Sequence, residues 1–217
     1  MPRTIKSFVL RTGRVSNRQQ QALDHWLTDY VLPEPGEIWS LKTPTIVEIG
    51  FGMGGSLFTM ATARPDLNFV GIEVHRAGIG SLVADLHDHN ITNVRIAPYD
   101  AVDVFKTSLA DHSLAGIQLF FPDPWPKKKH HKRRLVQAEF IKLLSQKLEV
   151  GGFLHCATDW EDYASQMQMV LSTEPSLRNQ QADGGFSPRP DTRPLTKFEQ
   201  RGQRLGHGVW DLIYIKN

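Results

Sequence analysis

Apolar positions in this chain gather into short runs separated by longer amphipathic stretches. Thr45–Gly50 is a compact apolar run, and Asn68–Val74, Asn93–Ala97, Ala115–Phe121 and Phe153–Ala157 repeat its character. Each is short and bounded by turn formers, the pattern of a buried strand. Between them, helices are predicted from near Ser56, over Ala77–His89, over Arg134–Leu148 and near Trp160–Leu171. In the third of these, Leu135, Phe140, Leu143, Leu144 and Leu148 fall close to helical spacing, and Gly151-Gly152 supplies a stop. Strands alternating with helices predict an α/β fold, a doubly wound, mostly parallel sheet covered on both faces. Val209–Ile215 breaks the alternation, with no helix behind it, and reads as a strand pairing antiparallel at or near an edge. Asp183–Pro194, rich in Gly, Pro and charge, reads as a long mobile loop. The amino-terminal part is polar, Gln-rich and closed by Pro33-Glu34-Pro35-Gly36, so residues 1–36 are expected to be a mobile arm and linker on one domain spanning 1–217.

Composition narrows the class. With 217 residues, 40% of them hydrophobic, a sizeable core can be buried in a single domain. No apolar run approaches membrane-spanning length and no signal pattern appears, so a cytoplasmic protein is expected. One cysteine, Cys156, excludes an internal disulfide and a Cys-rich zinc site. It lies in an apolar strand and reads as a core residue, with a catalytic thiol of the cytosine-C5 methyltransferase kind as the alternative. His130 with His131, and His87 with His89, lack a ligand constellation, so no metal is expected. The net charge of +2 conceals a segregation. Residues 1–23 carry Arg3, Lys6, Arg11, Arg14 and Arg18 without an acid, and residues 127–134 carry six more cations; elsewhere 14 basic groups face 23 acidic ones. Concentrated positive patches on an acidic body point to nucleic acid, through phosphate neutralisation.

The candidate chemistry sits at predicted strand ends. In Phe121-Pro122-Asp123-Pro124-Trp125-Pro126, alternate prolines fix φ and remove backbone donors, so this is a stiff loop leaving the Ala115–Phe121 strand. Asp123 is thereby placed where open α/β sheets bind ligands, and Lys127–Arg134 contains no acid to neutralise its cations. The turn Glu48-Ile49-Gly50-Phe51-Gly52-Met53-Gly54-Gly55 marks a nucleotide-type cofactor. Gly50, Gly52 and Gly55 meet the dinucleotide spacing, and Glu73 ends the next strand where a ribose-binding acid belongs, so an NAD(P) oxidoreductase is open at this point. Glu48 beneath the turn would repel a pyrophosphate but suits the sulfonium and ammonium of S-adenosylmethionine. Asp100, after the third strand, adds an acid placed to accept from an adenine amino group, or to cap a helix. Asp159 has either a substrate role or an N-cap role. A non-enzymatic RNA-binding module is the third alternative.

Taken together, Glu48–Gly55, Gly71-Ile72-Glu73-Val74, Phe121–Arg134 and Thr196-Lys197-Phe198-Glu199 resemble the bacterial tRNA (guanine-N7-)-methyltransferase family. The similarity extends to Ser7-Phe8-Val9, Arg11 and Gly13-Arg14, and the Pro-Asp-Pro-Trp-Pro run with its basic block discriminates best. The resemblance implies a seven-stranded S-adenosylmethionine-dependent methyltransferase fold with its last strand inserted antiparallel. It implies methylation of N7 of a guanine in the tRNA variable loop, with S-adenosylhomocysteine as the other product and no obligate protein partner. Cofactor binding would fall to Glu48, Gly50, Gly52, Gly54, Glu73, Asp100 and Asp123, with Asp123 also catalytic. Guanine or tRNA contacts would come from Lys127, Asp159, Thr196, Lys197, Phe198 and Glu199, with Lys129, His130, His131, Lys132, Arg133 and Arg134 touching RNA.

Overall fold

In the computed structural model, which describes residues 7–8, 13–32, 43–195, 199 and 208–217, the expected sheet forms. Its strands are β1 (Thr45–Ile49), β2 (Asn68–Ile72), β3 (Val94–Ala97), β4 (Leu114–Phe120), β5 (Leu148–Thr158), β6 (Leu177–Asn179) and β7 (Trp210–Lys216). They lie in the order β3-β2-β1-β4-β5-β7-β6, parallel throughout except for β7, which runs antiparallel to both neighbours. A dinucleotide-binding sheet runs 3-2-1-4-5-6 without such an insertion, and this sheet departs from that pattern at β7.

Two apolar layers cover the sheet. On one face, Val47, Ile117, Leu119, Leu154 and Cys156 pack with α5 (Ala101–Thr107), α6 (Ala138–Lys147) and α7 (Glu161–Ser172). On the other, Ile46, Phe69 and Phe120 pack with α3 (Gly55–Ala63) and α4 (Arg76–Asp88). Consecutive residues of β1 and β4 alternate between the layers, as the period-2 geometry of a strand requires. Among the described residues no helix is long and apolar enough to cross a membrane.

Several expectations need correction. Part of the expected mobile arm is packed: α1 (Asn17–His25) and α2 (Leu27–Tyr30) lie against α4, with Ala22 fully buried. Ser16 and Gln19 form a reciprocal capping box at the start of α1, and Arg18 bonds Asp85 and Asp88 at 2.8 and 2.6 Å. The Gln-rich composition hid this helix because its buried face is narrow. Pro33-Glu34-Pro35-Gly36 lies outside the described residues. Gly151-Gly152 does not terminate a helix. Lys147 does, and β5 already begins at Leu148, with Gly151 at φ +83° where the β4–β5 register shifts between Leu114 and Gly116. The helix expected from Arg134 starts only at Ala138, because Lys128–Arg133 form a 3-10 turn and Arg134 and Gln137 are extended. Nor is Asp183–Pro194 a free loop. Ser187 N donates to Asp211 O at 2.8 Å, and Arg193 is buried.

Candidate active site

Pairing of Ile49 with Leu119 makes the β1 and β4 carboxyl ends neighbours, so the glycine turn and the Asp123 loop leave the sheet side by side. In the turn, Gly50, Gly52 and Gly54 all have positive φ, and Gly54 N donates to Phe51 O at 2.9 Å. Helix α4 crosses so closely that a Cβ on Gly78 would stand 2.0 Å from Gly52 O, which only glycine permits. Glu73, just past the end of β2, ties this together. One oxygen accepts from Gly52 N at 2.9 Å, and the other from Val74 N and His75 N at 2.7 and 3.0 Å. Its first task is therefore to fasten the turn, with acceptor capacity left over.

Glu48 is 3% exposed, and its Oε2 has no hydrogen-bond partner. Burial, and secondarily the charge of Glu73, push its carboxyl up to about 8. Beside it in register on β4 is Gln118, whose buried Oε1 is likewise unpartnered. Ser56 Oγ, in the first turn of α3, is a third buried polar atom without a partner. Neither Ser56 nor Gln118 stands out in the sequence; the available signal is a lone amide within an apolar strand. The orphan Glu48 oxygen beneath an open glycine turn suits a ligand that brings positive charge or N–H donors, as S-adenosylmethionine does, whereas Gln118 lines a separate cavity with Ile46, Met60 and Phe153. Asp100 is the N-cap of α5, its Oδ1 accepting from Val102 N at 3.0 Å, so the capping role holds and leaves its other oxygen available.

Two aromatic residues in left-handed conformation bracket the Asp123 loop: Phe121 at φ +51° and Trp125 at φ +45°. Such residues cost about 1–2 kcal/mol each relative to ordinary conformations, so contacts must hold them. Phe121 N donates to Ala157 O at 2.8 Å. The Trp125 ring lies 4.1 Å beneath the Arg133 guanidinium, and its Nε1 donates to Ser7 O at 3.1 Å. Asp123 itself is exposed, and its carboxylate has no partner among the described residues. Asp159, expected either to cap α7 or to meet substrate, does not cap. Trp160 occupies that position, and its N–H is taken by Thr158 Oγ1 at 3.2 Å.

The basic block divides. Lys127, Lys128, Lys129 and Lys132 are exposed on or beside the 3-10 turn, while His130, His131 and Arg133 are half-buried. Arg134 is a correction: it is 2% exposed and cannot touch RNA in this conformation. Its guanidinium donates to Pro124 O at 2.8 Å, to Gln166 Oε1 and to Asp162 Oδ2. The acid lacking from the run is supplied from α7, which sequence proximity could not reveal. Arg134 thus braces the Asp123 loop from behind.

Thr196, Lys197 and Phe198 lie outside the described residues. Glu199, the described member of that set, is 2% exposed, and its carboxylate accepts from Arg193 Nη1 and Nη2 at 2.7 and 2.8 Å. Arg193 also donates to both oxygens of Asp211, at 2.8 and 2.9 Å, and His155 Nε2 lies 2.7 Å from Asp211 Oδ1. Burial raises the Asp211 carboxyl, but hydrogen bonds from His155 and Arg193 outweigh it and hold Asp211 below the usual range. Nothing in the composition of the Gly- and Pro-rich loop distinguishes Arg193. Cys156, buried on the opposite face, is pushed up to about 12 by burial, with the Asp211 charge adding to it, which removes it as a nucleophile. Among the described residues no cluster of three or more His, Cys, Asp or Glu is arranged to hold a metal.

Residues 42–212 match a family described as "Putative methyltransferase". A protein from Legionella pneumophila, named tRNA (guanine-N(7)-)-methyltransferase, is 64% identical over the full length of both chains. One of the same name from Shewanella putrefaciens is 53% identical over 98% of this chain and 92% of its own. Among solved structures, an S-adenosylmethionine-dependent methyltransferase from Aquifex aeolicus aligns over 82% of this chain and 85% of its own, with a TM-score of 0.56 at 11% identity. A precorrin-6y C5,15-methyltransferase from Geobacter metallireducens aligns over 96% and 95%, with a TM-score of 0.54 at 12% identity. At such identities the structural likeness speaks to the fold.

Proposed function

Since the chain belongs to the tRNA (guanine-N(7)-)-methyltransferase family, we propose that it methylates N7 of a guanine in the tRNA variable loop, with S-adenosylmethionine as donor. The observation that carries this is the pairing of two carboxylates at adjacent strand ends. Glu48 lies buried beneath the glycine turn, and Asp123 stands exposed on a braced loop beside the basic 3-10 turn. S-adenosylmethionine, when bound, supplies an electrophilic methyl group and leaves as S-adenosylhomocysteine.

The protein's own part is mostly alignment. Guanine N7 offers a lone pair and carries no proton, so no general base is required. Holding it in line with the transferring methyl is a proximity effect worth up to ~7–11 kcal/mol. Positive charge builds on the purine as the new bond forms, and Asp123 stabilises it from a loop that does not have to reorganise. Asp159, which follows the neighbouring strand β5, takes the guanine edge in this reading. Lys127, Lys128, Lys129 and Lys132 take phosphates. Freeing a guanine held by tertiary pairing costs a few kcal/mol, which phosphate binding offsets.

Incubating tRNA with the protein and S-adenosylmethionine tests this directly. Nuclease digestion with mass spectrometry should find 7-methylguanosine, and borohydride–aniline scission should cut within the variable loop. A methyl on ribose, on cytosine C5 or on guanine N1 would overturn the reading.

A further inference from the structure

Asp211, Ala157 and Phe120 lie in one row across β7, β5 and β4, on the face that also carries Glu48, Gln118 and His155. Arg193 covers this row. It is 1% exposed, and hydrogen bonds join its guanidinium in two forks to Glu199 and Asp211. Its Cζ stands 5.9 Å from the Phe120 ring and 5.6 Å from the Phe121 ring, and His155 packs edge-on to Phe120 at 4.9 Å. Phe121 is the left-handed residue that launches Pro122-Asp123.

We propose that Arg193 is a positioning residue for methyl transfer, clamping the Phe120-Phe121 base of the Asp123 loop between Glu199 and the β5–β7 corner. This rests on the reading that Asp123 serves methyl transfer. Stability alone does not account for the arrangement. A buried ion network is on average no more stabilising than well-packed apolar side chains, because the desolvation of its charges consumes the Coulombic gain. What a planar guanidinium supplies is direction. Two forks in fixed planes set the orientation of the cation over both rings, which an ammonium cannot reproduce. The pair of cation–ring contacts then adds to the Phe121 N–Ala157 O hydrogen bond in holding the left-handed conformation of Phe121, and the aim of the carboxylate two residues on follows. Glu199 accordingly acts through Arg193.

The test is Arg193→Lys and Phe121→Leu, singly and combined, with circular dichroism to confirm folding. Titration with S-adenosylhomocysteine and steady-state methylation of tRNA then give cofactor affinity, kcat and KM. Arg193→Lys is expected to lower kcat by about 30- to 100-fold, in keeping with the ~10²-fold cost of a 1 Å misplacement. Cofactor affinity and the KM for tRNA should move by less than about threefold. Phe121→Leu should lower kcat about tenfold, and the double variant should fall no further than Arg193→Lys alone. Unchanged kcat in Arg193→Lys, multiplicative losses in the double variant, or a loss confined to cofactor affinity would overturn the proposal. Should Arg193→Lys fail to fold, Phe121→Leu decides: kcat at the wild-type value refutes the clamp. Failure of the wild type to methylate tRNA would instead overturn the functional reading itself.

Discussion

Glu48 and Asp123 are carboxylates at the ends of paired strands, placed in opposite surroundings. Asp123 is exposed, so Asp123→Ala should leave stability within about 0.5 kcal/mol of wild type while lowering kcat by at least ~100-fold. A radiolabelled methyl-transfer assay beside a thermal melt reads both numbers, and near-normal turnover would remove Asp123 from the mechanism. Glu48 is different, because its folded value of about 8 lies above its ordinary 4.5. Between those values the folded ligand-free protein holds a proton that the unfolded chain has lost. Its stability contribution is therefore present at low pH and is lost as pH rises toward 8, at a slope of up to ~1.4 kcal/mol per pH unit. Glu48→Gln should flatten that decline in urea denaturation at pH 5 to 8, and should weaken S-adenosylhomocysteine binding. An equally steep decline in the variant would show that another group is responsible.

At the scale of elements, the 3-10 turn and the start of α7 divide the basic block between two tasks. Replacing Lys128, Lys129 and Lys132 by Gln should weaken tRNA binding and reduce its salt dependence by about 0.7–0.9 log units for each phosphate no longer neutralised, leaving cofactor affinity intact. An unaltered salt slope would make this turn a solvated surface. Arg134→Ala should do the reverse, costing about 1–3 kcal/mol of stability with little change in salt slope, because its partners are Pro124, Gln166 and Asp162. From sequence the block is uniform, since its periodicity cannot show that Asp162 approaches from 28 residues away. The strands are legible for the opposite reason: burial on both faces makes β1, β2, β4 and the core of β5 apolar without help from distant partners. Helices α1 and α5 are not, because they are short or polar. Arg193 and Glu199 do not declare themselves as a pair, because a charge in a Gly- and Pro-rich loop ordinarily signals solvent.

Across the whole molecule, the antiparallel insertion of β7 binds the far end of the described chain into the body of the sheet, between β5 and β6. Deleting residues 209–217 should abolish the cooperative unfolding transition and S-adenosylhomocysteine binding together, since β5 would lose its neighbour and Arg193 the Asp211 fork. A truncated chain that melts cooperatively would refute this. The same strand order has a consequence in time. On a translating ribosome, β1 to β5 and the Asp123 loop emerge well before Asp211, so the nascent chain carries the Asp123 carboxylate and the basic turn while Arg193 still lacks its Asp211 fork. On the role proposed for Arg193, a chain released before β7 should therefore attract RNA through the basic turn without methylating it.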